Sequence, residues 1–184
     1  MPVSEIRYTP SAHDERVLAA IRANVSAALA RFGRESVPKD ALVLDIAPQD
    51  HEGLRPYVGA GVRVETLDID PESGCTWIAD LCRPVPGVED GRFDAIVCTE
   101  VLEHVTQPFD AVREIRRMLR PGGVLLASSP FGFRIHGPLP DCWRISEHGW
   151  RALLADFTIE SLDELTDPDR PLMPWHYTVV ARRT

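Results

Sequence analysis

FDAIVCTEVLEHVTQPFDAVREIRRMLRPGGVLLASSP, residues 93–130, decides how the chain reads. It opens on a continuous apolar run with β-branched residues, FDAIVCT (93–99), and closes on another, GVLLASS (123–129). Such runs suit strands covered on both faces, as in a parallel sheet. Between them Pro108 to Arg120 has helical spacing, and Pro121-Gly122-Gly123 ends it. A strand, a helix and a second strand make one right-handed parallel crossover.

Working outward, ALVLDIA (41–47) and VRVETLDID (62–70) are two more apolar runs of the same kind. The patch Thr76 to Ala79 follows so closely that any strand there is very short, because a parallel crossover normally needs about ten residues or more. Ser11 to Phe32 reads as an amphipathic helix, with Val17, Ile21, Val25, Ala28, Leu29 and Phe32 on one stripe, Ser11 and Asp14 as start and Gly33 as stop. Arg34 to Asp40 is a polar linker. Ser146 to Phe157 reads as a late helix capped by Ser146, with Trp150, Leu153, Leu154 and Phe157 on one face. TIESLDEL (158–165) and WHYTVVARR (175–183) are strand-like and joined by the proline-rich TDPDRPLMP, which suits a hairpin rather than a helical crossover. The expectation is an α/β sheet, mostly parallel, ending in an antiparallel strand. Residues 1–40 (helix and linker) and a core over 41–184 make one domain.

The composition narrows the function. The chain has 184 residues, with 28 acidic against 20 basic, a net charge of −8. It lacks the basic footprint of a nucleic-acid binder, so a small-molecule partner is expected. Arg113, Arg116, Arg117 and Arg120 fall on one helix face and read as solvated. No run of 18 apolar residues can span a membrane as a helix, and the N-terminus lacks the pattern of a secretory signal. Cys75, Cys82, Cys98 and Cys142 show neither a paired nor a zinc spacing. A reduced, cytoplasmic setting is expected, with Cys75, Cys82 and Cys98 as small core residues.

In open α/β sheets ligands bind beyond the carboxyl ends of the strands, so the residues just after each strand are the candidates. Asp45 closes the first run. Asp68 closes the second, 23 residues on, where a carboxylate suits ribose hydroxyls; the alternative is a turn cap, which is the reading for Asp70. Asp80, with Leu81, could contact an adenine or form a turn. Glu100, Glu103 and His104 stand at i, i+3 and i+4, which a helical turn would place on one face, able to hold a divalent ion. They could equally bind an ammonium or cap a loop. His136 could be a fourth ligand, a general base or a lid hydrogen bond. Asp141, Trp143 and Arg144 lie in the long loop from Pro130 to Ile145, where they could grip a substrate or hold the loop's shape. Tyr8, His13, Trp150 and His176 read as core or surface residues rather than pocket walls.

These residues, in this order, resemble the class I S-adenosylmethionine-dependent methyltransferases over Val43 to Phe157. Residues 93–130 carry the resemblance most specifically. It implies a Rossmann-like, seven-stranded sheet in a three-layer αβα arrangement. It also implies S-adenosylmethionine as cofactor, bound by Asp45, Ala47, Gln49, Asp68, Ile69, Asp80, Leu81 and Thr99. The family's D-x-G-x-G-x-G departs here: Ala47, Gln49 and His51 occupy the glycine positions. Glu100, Glu103, His104 and His136 resemble the metal site of small-RNA 2′-O-methyltransferases, and ubiquinone-pathway O-methyltransferases share the E-x-x-E-H. That implies Mg2+ or Mn2+. The HGPLPDCWRIS stretch (136–146) resembles a lid of bacterial methyltransferases, including some from natural-product clusters.

The expected reaction is O-methylation of a small hydroxylated metabolite, a sugar or natural-product scaffold. His136 would be the base, or Glu100 and His104 would act with His136 around an ion. A homodimer is compatible with this reading. The rivals are a scaffold that keeps the fold without methyl transfer, favoured by the altered glycine loop, and a nucleotide-dependent oxidoreductase, opposed by the missing G-x-G-x-x-G.

Overall fold

The computed structural model of the chain describes residues 9–48, 53–167 and 169–184. Seven strands form one sheet: β1 (Leu42–Ile46), β2 (Arg63–Asp68), β3 (Trp77–Ile78), β4 (Phe93–Thr99), β5 (Leu119–Pro130), β6 (Phe157–Leu165) and β7 (His176–Arg183). Their order is β3-β2-β1-β4-β5-β7-β6. Strands β3, β2, β1, β4 and β5 run parallel, and β7 enters antiparallel between β5 and β6. This is the Rossmann-like sheet with the inverted C-terminal strand. The proline-rich connector does make a hairpin, and β3 is only two residues long.

Alternation along the strands divides the core between the two faces. On one face α1 (Ala12–Glu35) lays Ala28, Leu29 and Phe32 against Val43, Ala95, Val97, Val124 and Leu126. On the other, α2 (Pro108–Met118) and α3 (Glu147–Leu153) pack Ala111, Ile115, Met118 and Trp150 against Leu44, Ile96, Cys98 and Leu125. Among the described residues the connection from β1 to β2 carries one 3-10 turn, Arg55–Tyr57.

Ser11 caps α1 through a reciprocal box. Its hydroxyl accepts from the Asp14 amide at 3.2 Å, and its own amide donates to the Asp14 carboxylate at 3.0 Å. The expected stop at Gly33 is wrong, because the helix runs on to Glu35. The glycine serves a close approach instead. A Cβ at Gly33 would lie 2.3 Å from the carbonyl oxygen of Tyr57 in the 3-10 turn.

Three other expectations shift. Helix α2 ends at Met118, two residues early, because Leu119 and Arg120 already belong to β5. The arginines of α2 are not all solvated. Arg117 is half-buried, donating to Glu114, Asp90 and the Val88 carbonyl, and so ties α2 to the loop before β4. Of the three cysteines expected in the core, only Cys98 is buried; Cys75 and Cys82 are half-buried.

Gly33→Ala gives a test of the α1 contact. In an open helix interior the change would stabilise by about 1 kcal/mol. Here overpacking against Tyr57 should win, with a net loss of roughly 1–3 kcal/mol in guanidinium unfolding. Gly59→Ala, which meets nothing within 4 Å, should leave the midpoint nearly unchanged.

Candidate active site

The carboxyl ends of β1 and β4 open into a cavity of about 760 Å³ that α1 roofs with Leu18, Ile21, Val25 and Leu29. Asp45, Ala47, Thr99, Glu100, His104 and His136 are among its walls.

Asp45, at the end of β1, is 3% exposed and accepts the Leu54 amide at 2.7 Å. It thereby pulls the loop after β1 back onto the strand. Gly53 makes this possible. It sits at φ 54°, and a Cβ there would strike the Asp45 carboxylate at 2.0 Å. Burial raises the Asp45 pKa from 3.8 to about 6 despite the Leu54 bond. Ala47 adopts φ 50°, the left-handed conformation that favours glycine. Gln49 and His51 lie outside the described residues.

The E-x-x-E-H stretch is not a helical turn, and this separates the residues expected to act together. Glu100 sits at φ 56° and leaves the helical path, with its amide donating to the Ser128 carbonyl. Its side chain turns toward β5 and β7: Oε1 accepts from Ser128 Oγ at 2.7 Å and lies 2.6 Å from Nε2 of His176. Nδ1 of His176 meets the amide nitrogen of Asn24, on α1, at 3.0 Å. Burial raises the Glu100 pKa, but His176 and Ser128 outweigh it and hold the carboxyl below its ordinary range.

Glu103 points the other way. It is fully buried, and neither carboxylate oxygen has a hydrogen-bond partner. Burial, then the charge of Glu100, push its pKa well above the usual carboxylate value. Nε2 of His104 and Nε2 of His136 lie 3.8 and 3.9 Å from its Oε1, beyond hydrogen-bond length.

Both imidazoles are oriented from behind. Nδ1 of His104 donates to the Pro140 carbonyl at 2.9 Å. Nδ1 of His136 donates to the Arg134 carbonyl at 3.3 Å, while the His136 amide donates to the Asp141 carboxylate at 2.9 Å, whose oxygen lies 3.0 Å from the same Nδ1. Each Nε2 lone pair is thus turned toward Glu103. The ligand atoms of Glu103, His104 and His136 fall within 4.8 Å of one another.

The lid carries the rest. Arg144 grips both oxygens of Asp141 and donates to the carbonyls of Phe133 and Arg134. The Arg144 bonds and the His136 amide outweigh burial and bring the Asp141 pKa down to about 2. Trp143 donates to the Val105 carbonyl at 2.8 Å. Asp141, Trp143 and Arg144 therefore fasten the lid, and none of them lines the cavity. Asp68 closes β2 with Oδ1 accepting the Asp70 amide, and Asp80 accepts the Cys82 amide. Ile69 is exposed and Leu81 is buried in the core. These four lie beyond the cavity's walls.

His176 was expected in the core, and it is buried, but as a polar partner of the site. Asn24 was missed. Its position was the available signal, since it interrupts the buried stripe of Val17, Ile21 and Ala28 at helical spacing.

A mostly parallel sheet with an inverted final strand and a cleft at its carboxyl edge lined by Asp45 and Glu100 defines a Rossmann-like α/β protein. A family model described as "Methyltransferase domain" matches residues 13–183, and the chain belongs to that family. A ubiquinone biosynthesis O-methyltransferase from Xanthomonas oryzae pv. oryzae (strain PXO99A) is 35% identical over 82 residues, which is 38% of this chain and 34% of the relative. The chain therefore spans about a third of that relative's length. Human thiol S-methyltransferase TMT1B is 47% identical over 47 residues, 23% of this chain and 19% of that one. Among solved structures, Burkholderia thailandensis 1,6-didemethyltoxoflavin-N1-methyltransferase, with bound 1,6-didemethyltoxoflavin and S-adenosylhomocysteine, superposes with a TM-score of 0.61. The identity is 18%, covering 97% of this chain and 93% of that one. A SAM-dependent methyltransferase from Aquifex aeolicus gives 0.64 at 17% identity, covering 97% and 100%.

The raised pKa of Asp45 fixes a sign. Below pH 3.8 the group is protonated in folded and unfolded chains alike and has no effect. As pH rises from 3.8 through about 6 the unfolded chain sheds its proton first, so stability falls, and above that the full penalty remains. It amounts to roughly 3 kcal/mol. Asp45→Asn should raise the thermal midpoint at pH 7.5 and lose that advantage near pH 4; an equal shift at both would refute the assignment.

Proposed function

We propose that this chain is an S-adenosylmethionine-dependent O-methyltransferase acting on a small hydroxylated metabolite, a sugar or natural-product scaffold. In this reading a divalent ion, Mg2+ or Mn2+, assists at Glu103, His104 and His136. The observation that carries the metal is Glu103, whose two buried oxygens have no partner while two imidazole lone pairs face it. A buried carboxylate without partners is costly; protonation relieves it in the free protein, and a cation between it and the two imidazoles would relieve it when bound. The donor set, one carboxylate and two imidazoles, suits first-row divalent ions and tolerates Mg2+ less readily. The Arg134 carbonyl behind His136 Nδ1 supplies the orienting bond that metal-binding histidines commonly carry. Glu100, expected as a fourth ligand, is turned toward His176 instead.

The cofactor supplies an electrophilic methyl group on a sulfonium. Ala47 supports its binding by keeping the left-handed geometry of the glycine it replaces, at a cost of about 1 kcal/mol. Asp68, at the end of β2, is the residue this reading takes for the ribose hydroxyls, although its Oδ1 accepts the Asp70 amide, and Thr99 lines the cavity. The ion, when bound, lowers the pKa of a coordinated hydroxyl. The apolar stripe of α1 excludes water and presses the acceptor toward the strand ends, and such alignment contributes up to about 7–11 kcal/mol. O-methylation is favoured over other acceptors by the likeness to the ubiquinone O-methyltransferase, whose aligned segment covers 38% of this chain. With its net charge of −8, nucleic acid is disfavoured as the acceptor.

Calorimetry should show S-adenosylhomocysteine binding and one equivalent of Mn2+. Glu103→Gln should weaken Mn2+ by tenfold or more. His136→Ala should reduce methyl transfer to catechol, a hydroxylated probe, by well over threefold. Absence of any heat with the cofactor product would favour a scaffold; Mn2+ binding untouched by Glu103→Gln would remove the metal.

A further inference from the structure

Glu100, His176 and Asn24 form a chain that the metal reading does not use. His176 is completely buried at the first position of β7, with Nε2 2.6 Å from Glu100 and Nδ1 3.0 Å from the Asn24 amide nitrogen. That nitrogen is a donor, so it selects the tautomer in which Nδ1 accepts and Nε2–H donates to the carboxylate. Asn24 is itself fixed by a second bond, to Thr178 Oγ1 at 3.0 Å. Among the described residues both hydrogen bonds to the Glu100 carboxylate fall on Oε1, while the residue lines the cavity. Its backbone is held at φ 56°, a conformation that costs a non-glycine residue and concentrates at functional sites.

We infer that Glu100 is the proton acceptor for the incoming hydroxyl, that His176 and Asn24 are its positioning residues, and that Glu100 does not ligate the ion. The inference rests on the O-methyl-transfer reading above. It also answers a need that reading creates, since His136, with Nδ1 on the Arg134 carbonyl and Nε2 taken up as an ion ligand 3.9 Å from Glu103, is not free to act as base. In the step, the acceptor oxygen bonds to the methyl carbon as the carbon–sulfur bond breaks. The bonding pair leaves with sulfur as a neutral thioether, and the hydroxyl proton passes to the cavity-side oxygen of Glu100 and then to solvent. The Nε2–H of His176 holds Oε1 throughout, which keeps the other oxygen aimed at the acceptor.

The test combines Mn2+ titration, followed by electron paramagnetic resonance, with steady-state methyl transfer to catechol. Glu100→Gln should bind Mn2+ within threefold of wild type and lose kcat by a hundredfold or more, whereas Glu103→Gln should lose Mn2+. His176→Leu should lower kcat at least tenfold with KM and Mn2+ affinity unchanged. His176→Gln, which keeps an N–H donor, should recover most of that loss. Asn24→Ala, a milder change should His176→Leu not fold, should lower kcat severalfold with the same split. Loss of Mn2+ binding in Glu100→Gln, or turnover within threefold of wild type, overturns the relay while leaving the O-methyl reading intact. Equal damage in His176→Gln and His176→Leu overturns the positioning role. Wild-type protein that neither binds Mn2+ nor methylates catechol removes the metal and acceptor readings, and the relay with them.

Discussion

A carboxylate that is wholly shielded from water must be neutralised, hydrogen-bonded or coordinated, and Glu103 organises the site around that demand. Its backbone is already committed: the Glu103 carbonyl accepts the amides of Cys142 and Trp143 at 2.7 and 3.1 Å, which pins the lid over it. The side chain is therefore enclosed by the loop that brings His136, and among the described residues its oxygens find no hydrogen-bond partner. Asp141 and Arg144 make the arrangement rigid. The salt bridge between them is short and its carboxylate is fully buried, so the His136 backbone amide it holds has little freedom. Lid and ligand cluster are one structural unit, and the lid's polar residues read as its fastening rather than as hands for a substrate.

Most of the fold was legible because apolar periodicity and burial are the same physics. The runs at 41–47, 62–70, 93–99 and 123–129 became β1, β2, β4 and β5, and the prolines of 166–174 announced the hairpin. The failures were at places where a tertiary contact overrode local preference. Gly33 looks like a helix stop, but nothing local reveals that Tyr57 will press on it from the next connection. Arg117 has the spacing of a solvated face, yet Glu114 and Asp90 capture it.

At the site the distinction is sharper. Sequence spacing brought Glu103, His104 and His136 to notice together, and geometry joins them. The same spacing bound Glu100 to them, because i, i+3 and i+4 share a face only if the backbone is helical. One residue with positive φ removes that condition. Glu100 is carried off toward His176, a residue 76 positions away that no local pattern connects to it.

Two of the left-handed non-glycine residues, Ala47 and Glu100, follow adjacent parallel strands and line the same cavity. Strain of this kind persists only where the surroundings over-determine it. At Ala47 the amide is held by the Leu67 carbonyl at 2.7 Å, and at Glu100 by Ser128, with the side chain locked on His176. Both constraints come from neighbouring strands, so the sheet itself, the most rigid part of the molecule, sets the two conformations. A glycine at either position would relax the local cost and also loosen the aim. At Ala47, methyl and backbone together narrow what the loop after β1 can do. At Glu100, the fixed turn separates one carboxylate that lines the cavity from another in the buried cluster with His104 and His136. That separation lets a five-residue stretch, Glu100 to His104, hold two chemically different carboxylates: one lining the cavity and kept ionised by a histidine, the other buried beside two.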